Sequence, residues 1–172
     1  DSHGHYTTAP DALGDYRDVQ KAALKKDPSY TGEKGVINIT DDQIRETIEN
    51  GQLKLQRERG TDATIFSPRA SWMEHHVGNA HISKYWTEHT NELIYRVTQL
   101  FPKNFIGACA LPQYPGTDLK TSIVELERCV TQFGFVGCNL NLDPSGGHFN
   151  SPPLGEKYWY PIYEKMVELD VP

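Results

Sequence analysis

The chain of 172 residues carries 23 acidic and 17 basic side chains, a formal net charge of −6, with the two signs interspersed. That balance excludes the basic footprint of a nucleic-acid binder and the cationic face of a membrane-surface helix. No apolar run approaches the roughly 18 residues of a membrane span, and the length suits a single domain.

Asp1-Ser2-His3-Gly4-His5 reads as the end of a first strand, and residues 6–39 as an irregular insertion with a short helix at 11–25, the length of a lid or binding loop. Thr40-Asp41-Asp42-Gln43 has the Thr-x-x-Gln form of a capping box, and Ile44, Ile48, Leu53 and Leu55 predict one helix running to a Gly60 stop. Apolar runs at 61–66, 104–111 and 135–142, each ended by polar or turn residues, predict buried parallel strands. Helices are predicted at 81–100, 121–133 and 158–169 from apolar residues at helical spacing, such as Leu93, Ile94 and Val97. Alternating strands and helices imply right-handed crossovers and a parallel sheet, an α/β fold. Leu169-Asp170-Val171-Pro172 reads as a helix end and the start of a fifth strand, so truncation at both ends is the expectation. Trp72, Trp86 and Trp159 read as core or interface aromatics. Cys109, Cys129 and Cys138 are an odd set without Cys-x-x-Cys spacing, which fits a reducing cytoplasm, and Cys109 and Cys138 lie inside apolar runs, where buried inert thiols are expected.

In parallel α/β folds ligands bind at the C-terminal ends of the strands. The polar residues there are His3 and His5, Ser67 and Arg69, Gln113, Asn139 and Asn141, then Ser145 and His148. Residues two apart on a strand share a side, so His3 and His5 suit two ligands of one metal ion, with Gly4 leaving room for backbone to approach a ligand or substrate. A frayed terminus without metal is the plain alternative. Arg69 offers a planar guanidinium to a carboxylate, against a role as a cap or surface ion pair. Asn139 and Asn141 fit either substrate contact or a structural network, and Gly146-Gly147 either an anion-binding turn or a simple one. His75 and His76 fall in a lid segment, where at least one is expected solvated or packed on a helix.

Asp1, His3 and His5 in an Asp-x-His-x-His pattern, Ser67-Pro68-Arg69, the run from Asn139 to Asp143-Pro144-Ser145-Gly146-Gly147-His148, and Trp159-Tyr160-Pro161-Ile162-Tyr163 together resemble the metal-dependent amidohydrolase superfamily over essentially the whole chain. His5-Tyr6-Thr7-Thr8-Ala9-Pro10 and Phe66-Ser67-Pro68-Arg69-Ala70-Ser71 are similar more narrowly to its hydratases that act on oxalomesaconate. The resemblance implies a (β/α)8 TIM barrel, of which residues 1–172 would be the N-terminal part of one barrel domain, with 6–39 inserted after strand one. It implies one divalent ion, zinc first, held by His3, His5, a strand-five histidine and a carboxylate further along. It gives substrate-binding roles to Tyr6, Ser67, Arg69, Asn139, Asn141, Ser145 and His148. The implied reaction is addition of water to the carbon–carbon double bond of a small polycarboxylate in protocatechuate or gallate breakdown. Neither nucleic acid nor membrane is an expected partner, and a homo-oligomer is compatible. A zinc-dependent decarboxylase on the same scaffold is the rival, and an inactive structural fragment the third reading.

Overall fold

The computed structural model describes residues 1–69 and 75–172; Trp72 lies outside the described residues. The elements in chain order are β1 (Gly4–His5), α1 (Ala12–Lys26), α2 (Asp41–Asn50), α3 (Gln52–Arg59), β2 (Thr64–Ser67), α4 (Ala80–Leu100), β3 (Phe105–Gly107), β4 (Cys109–Ala110), α5 (Lys120–Phe133), β5 (Cys138–Asn139) and, after a 3-10 turn at Lys157–Trp159, α6 (Tyr160–Glu168). All strand pairs are parallel: β1 with β2, β2 with β3 and β4 with β5. β3 and β4 are one strand interrupted at Ala108. Ala108 donates its N–H to Phe66 O, and Val136 donates to Gly107 O, which joins the two ladders.

The core lies between this sheet and the helices. Phe66, Phe105 and Cys109 meet Ile44 and Ile48 of α2, Ile94 and Val97 of α4, Leu126 of α5 and Ile162 of α6. Trp86 and Trp159 are fully buried, as expected. Alternate residues face the other way, and there Ile106 and Val136 remain 41% and 40% exposed. The three cysteines are free; Cys109 is buried as expected, whereas Cys138 is only partly buried and Cys129 is the second buried thiol.

The capping box forms: Thr40 Oγ1 accepts from Gln43 N, and Gln43 Oε1 accepts from Thr40 N. The single helix expected from there to Gly60 is instead two. The chain breaks at Gly51 (φ −108°, ψ −104°), where Gln52 turns its amide to His5 O and Thr7 Oγ1 and accepts from Thr8 Oγ1. The insertion does hold a helix, α1, which packs on α4: Arg17 stacks 4.5 Å over the Trp86 ring, and Gln20 accepts from Trp86 Nε1. β5 itself is only Cys138–Asn139, shorter than the run 135–142 suggested, although Val136 N and Gly137 O just before it also bond to the neighbouring strand, while Pro172 O accepts from Cys138 N.

Candidate metal centre

His3 and His5 share one side of the opening segment. Their Nε2 atoms face each other at 2.8 Å, with the rings edge to face. His3 is exposed and His5 partly buried. His5 Nδ1 lies 3.1 Å from Pro68 O and 2.9 Å from Ser67 Oγ. Burial foremost, then the neighbouring His3, holds the His5 pKa below the usual histidine value; Arg69 acts the same way more weakly, and the Pro68 carbonyl opposes them. A neutral imidazole keeps a lone pair at neutral pH, which is what a metal ligand requires.

The intervening Gly4 has a different use from the one expected. A Cβ there would stand 2.4 Å from Thr64 Cγ2, so the space serves strand packing rather than a ligand. Tyr6, next along, points the opposite way from His5, as strand alternation demands. Its hydroxyl is 2.6 Å from Thr47 Oγ1 in the core beside Phe66, where burial pushes its pKa up to about 12. Ser67 is buried and sits behind His5, also contacting Gly4 O at 3.2 Å and Asn139 Nδ2 at 2.7 Å. Arg69, one residue past Pro68, is exposed.

The later rim residues fall into two groups. Gln113 and Asn141 are tied reciprocally, Gln113 Nε2 donating to Asn141 O at 3.2 Å and Asn141 N donating to Gln113 Oε1 at 2.8 Å. The turn after β5 closes on itself around Asp143, whose carboxylate accepts from Ser145 N and Oγ, Gly147 N and Phe149 N, while Ser145 Oγ accepts from Asn150 N. The glycine-rich turn therefore spends its N–H groups on Asp143 and not on an external anion. Asx-turn chemistry in Asp143-Pro144-Ser145-Gly146 was the signal for it. His148 is exposed at its tip. The ring of His76 lies against Gly146, where a Cβ would come within 2.3 Å of it. His75 is buried against α4, its Nδ1 2.8 Å from Ser83 Oγ and accepting from Gln113 N at 3.3 Å.

Two imidazole Nε2 atoms brought together, with one ring anchored through its other nitrogen on a backbone carbonyl, have the donor chemistry of a histidine metal site. Among the described residues no group of three or more His, Cys, Asp or Glu is arranged to hold an ion. The pair could supply two ligands to a divalent ion, fewer than the roughly three protein ligands of a catalytic metal site.

The amidohydrolase family profile matches residues 1–172. The chain belongs to the amidohydrolase family. It is 56% identical over 175 residues to the 2-keto-4-carboxy-3-hexenedioate hydratase of Sphingobium sp. strain SYK-6, covering 100% of this chain and 50% of that relative. The crystal structure of 4-oxalomesaconate hydratase from Rhodopseudomonas palustris superposes with a TM-score of 0.88 at 55% identity, again over 100% of this chain and 50% of that one. A dihydroxybenzoic acid decarboxylase from Polaromonas sp. JS666, solved with bound manganese and an inhibitor, matches at a TM-score of 0.60 and 23% identity over 99% of this chain and 46% of its own, a likeness of fold alone. The chain spans about half the length of these relatives.

Proposed function

We propose that the protein is a metal-dependent hydratase adding water to the double bond of an unsaturated oxo acid with several carboxylates, and that these residues form the first half of its (β/α)8 barrel. The observation that carries this reading is the 56% identity, over the whole chain, to an enzyme named for such a substrate. In 2-keto-4-carboxy-3-hexenedioate the alkene is conjugated to the keto group, so water oxygen bonds to the far alkene carbon and negative charge moves to the keto oxygen before the near carbon takes a proton. A divalent ion, zinc by preference, held by His3 and His5 would supply Lewis acidity or acidify a water. Arg69 binds a substrate carboxylate bidentately beside the pair, and His148 and Asn141 border the same rim. Tyr6, Ser67, Asn139 and Ser145 shape the site from behind, since their polar groups already have protein partners, while Asn141, whose Oδ1 accepts from Asp143 N, keeps its amide NH2 for a substrate oxygen. The setting proposed is the cytoplasm, and no described helix is long and apolar enough to cross a membrane.

Full protein loaded with zinc is expected to remove the conjugated alkene absorbance of 2-keto-4-carboxy-3-hexenedioate without releasing carbon dioxide. Carbon dioxide release from a dihydroxybenzoate, with no hydration of the unsaturated acid, would overturn the reading in favour of a decarboxylase.

A further inference from the structure

The Pro68 carbonyl and the Ser67 hydroxyl together decide which nitrogen of His5 carries the proton. Pro68 O, 3.1 Å from His5 Nδ1, can only accept, so Nδ1 holds the hydrogen. Ser67 Oγ, 2.9 Å from the same nitrogen, accepts from it too. Asn139 Nδ2 can only donate to Ser67 Oγ, at 2.7 Å, and Gly4 O can only accept from it, at 3.2 Å. A hydroxyl has one hydrogen and two lone pairs, and all three are used once. Turning the Asn139 amide over would set two acceptors, its own oxygen and Gly4 O, against a single hydroxyl hydrogen. With Nδ1 protonated, the lone pair of neutral His5 is on Nε2, the atom that faces His3 Nε2 at 2.8 Å.

We propose that Ser67 and Asn139 are positioning residues that, together with the Pro68 carbonyl, preset His5 as its Nδ1–H tautomer, so that an amide on β5 and a hydroxyl on β2 contribute to how tightly the His3–His5 pair holds a divalent cation. The cation part rests on the metal-site reading above; the tautomer part stands without it. His3 has no comparable anchor on its ring among the described residues, so the preset half of the pair is His5. Partners that orient a ligating histidine are worth roughly 10- to 100-fold in metal affinity.

The test has two arms on the full protein. Long-range proton–nitrogen NMR of 15N-histidine-labelled, metal-free protein is expected to show His5 as the Nδ1–H tautomer. The Nε2–H tautomer, or an equal mixture, would overturn the proposal with no variant needed. Zinc affinity, read by competition with a chromophoric chelator, is expected to fall about tenfold or more in Ser67→Ala and Asn139→Ala and to recover in Ser67→Thr, which keeps the hydroxyl. Unchanged affinity in folded Ser67→Ala and Asn139→Ala would also overturn it. Should wild-type protein bind no zinc while His5 is the Nδ1–H tautomer, the metal reading fails and the tautomer assignment is upheld.

Discussion

Arg69 is exposed just beyond β2, and no hydrogen bond or ion pair to another described residue holds its guanidinium, yet its charge reaches His5. A cation placed so costs the fold little to remove and a bound carboxylate much. Leaving a buried substrate carboxylate without its charged partner costs on the order of 2 to 5 kcal/mol. Arg69→Met is therefore expected to lower kcat/KM tenfold or more with the melting temperature unchanged, and Arg69→Lys to be impaired as well, because an ammonium lacks the bidentate fork. Normal steady-state kinetics in Arg69→Met would remove it from the substrate site. His75 is the opposite kind of residue. Burial foremost, then the positive charges of His76 and Arg17, lowers its pKa to about 3. Its Nδ1 accepts from Gln113 N, so the hydrogen is on Nε2, which has no partner among the described residues. With the folded value below the unfolded value of 6.5, the unfolded chain binds the extra proton between them. His75 stability is then full above pH 6.5 and is lost as pH falls toward 3, up to roughly 4 to 5 kcal/mol at 1.36 kcal/mol per unit. Urea denaturation from pH 7 to 4.5 is expected to show wild type weakening more steeply than His75→Asn, which keeps an acceptor for Gln113 N. Parallel slopes would contradict this.

At the scale of elements, α4, α5 and the insertion are joined by charges rather than by apolar contact alone. Glu125 is 3% exposed and accepts from Arg128 Nε at 2.7 Å and from Asn91 Nδ2 at 2.7 Å. Asn91 also clamps both backbone groups of Ala110, at 2.9 Å each. Arg128 extends to Glu92, which Lys34 meets from the insertion. Burial alone would raise the Glu92 pKa, but hydrogen bonds from His89 and Lys34 and the charges of Lys34 and Arg128 hold it at about 2. Arg128→Met leaves Glu125 as a buried carboxylate without its cation, a loss of about 3 to 5 kcal/mol, and adding Glu125→Leu should recover much of it. Chemical denaturation of both single variants and the double variant checks the pair; a double-variant loss equal to the sum of the two single losses would mean the bridge contributes no coupling. Lys34, Glu92 and Arg128 are 94 residues apart end to end, so no local pattern foretold this network. The elements themselves were legible where local chemistry fixed them, as in the Thr40 capping box and in α5, which ends at Gly134 with φ +69°. Gly51 went unread because it sat inside an apolar stripe, although Asn50-Gly51 is itself a breaker signal.

Across the whole molecule, the candidate site draws on β1 for His5 and the residues just before it for His3, on β2 for Ser67 and on β5 for Asn139. The histidine pair was legible because strand periodicity alone puts residues two apart on one side. That same periodicity separates Tyr6 from His5, which the family resemblance obscured. The Ser67–Asn139 contact joins residues 72 apart in sequence, and only folding of the sheet brings both side chains beside His5. A site shared among strands also couples ion binding to folding, since an ion that binds only the folded chain stabilises it by mass action. At free zinc about 100 times its dissociation constant the gain is roughly 2.7 kcal/mol. Thermal unfolding of the full protein is thus expected to shift upward on adding zinc to the metal-free form and downward on adding a chelator. Both shifts should vanish in His5→Ala and shrink strongly in His3→Ala, whose exposed ring can be removed with little effect on the metal-free melting temperature. A zinc-dependent shift that survives in both variants would place the ion elsewhere and dissolve the assignment of the pair as ligands.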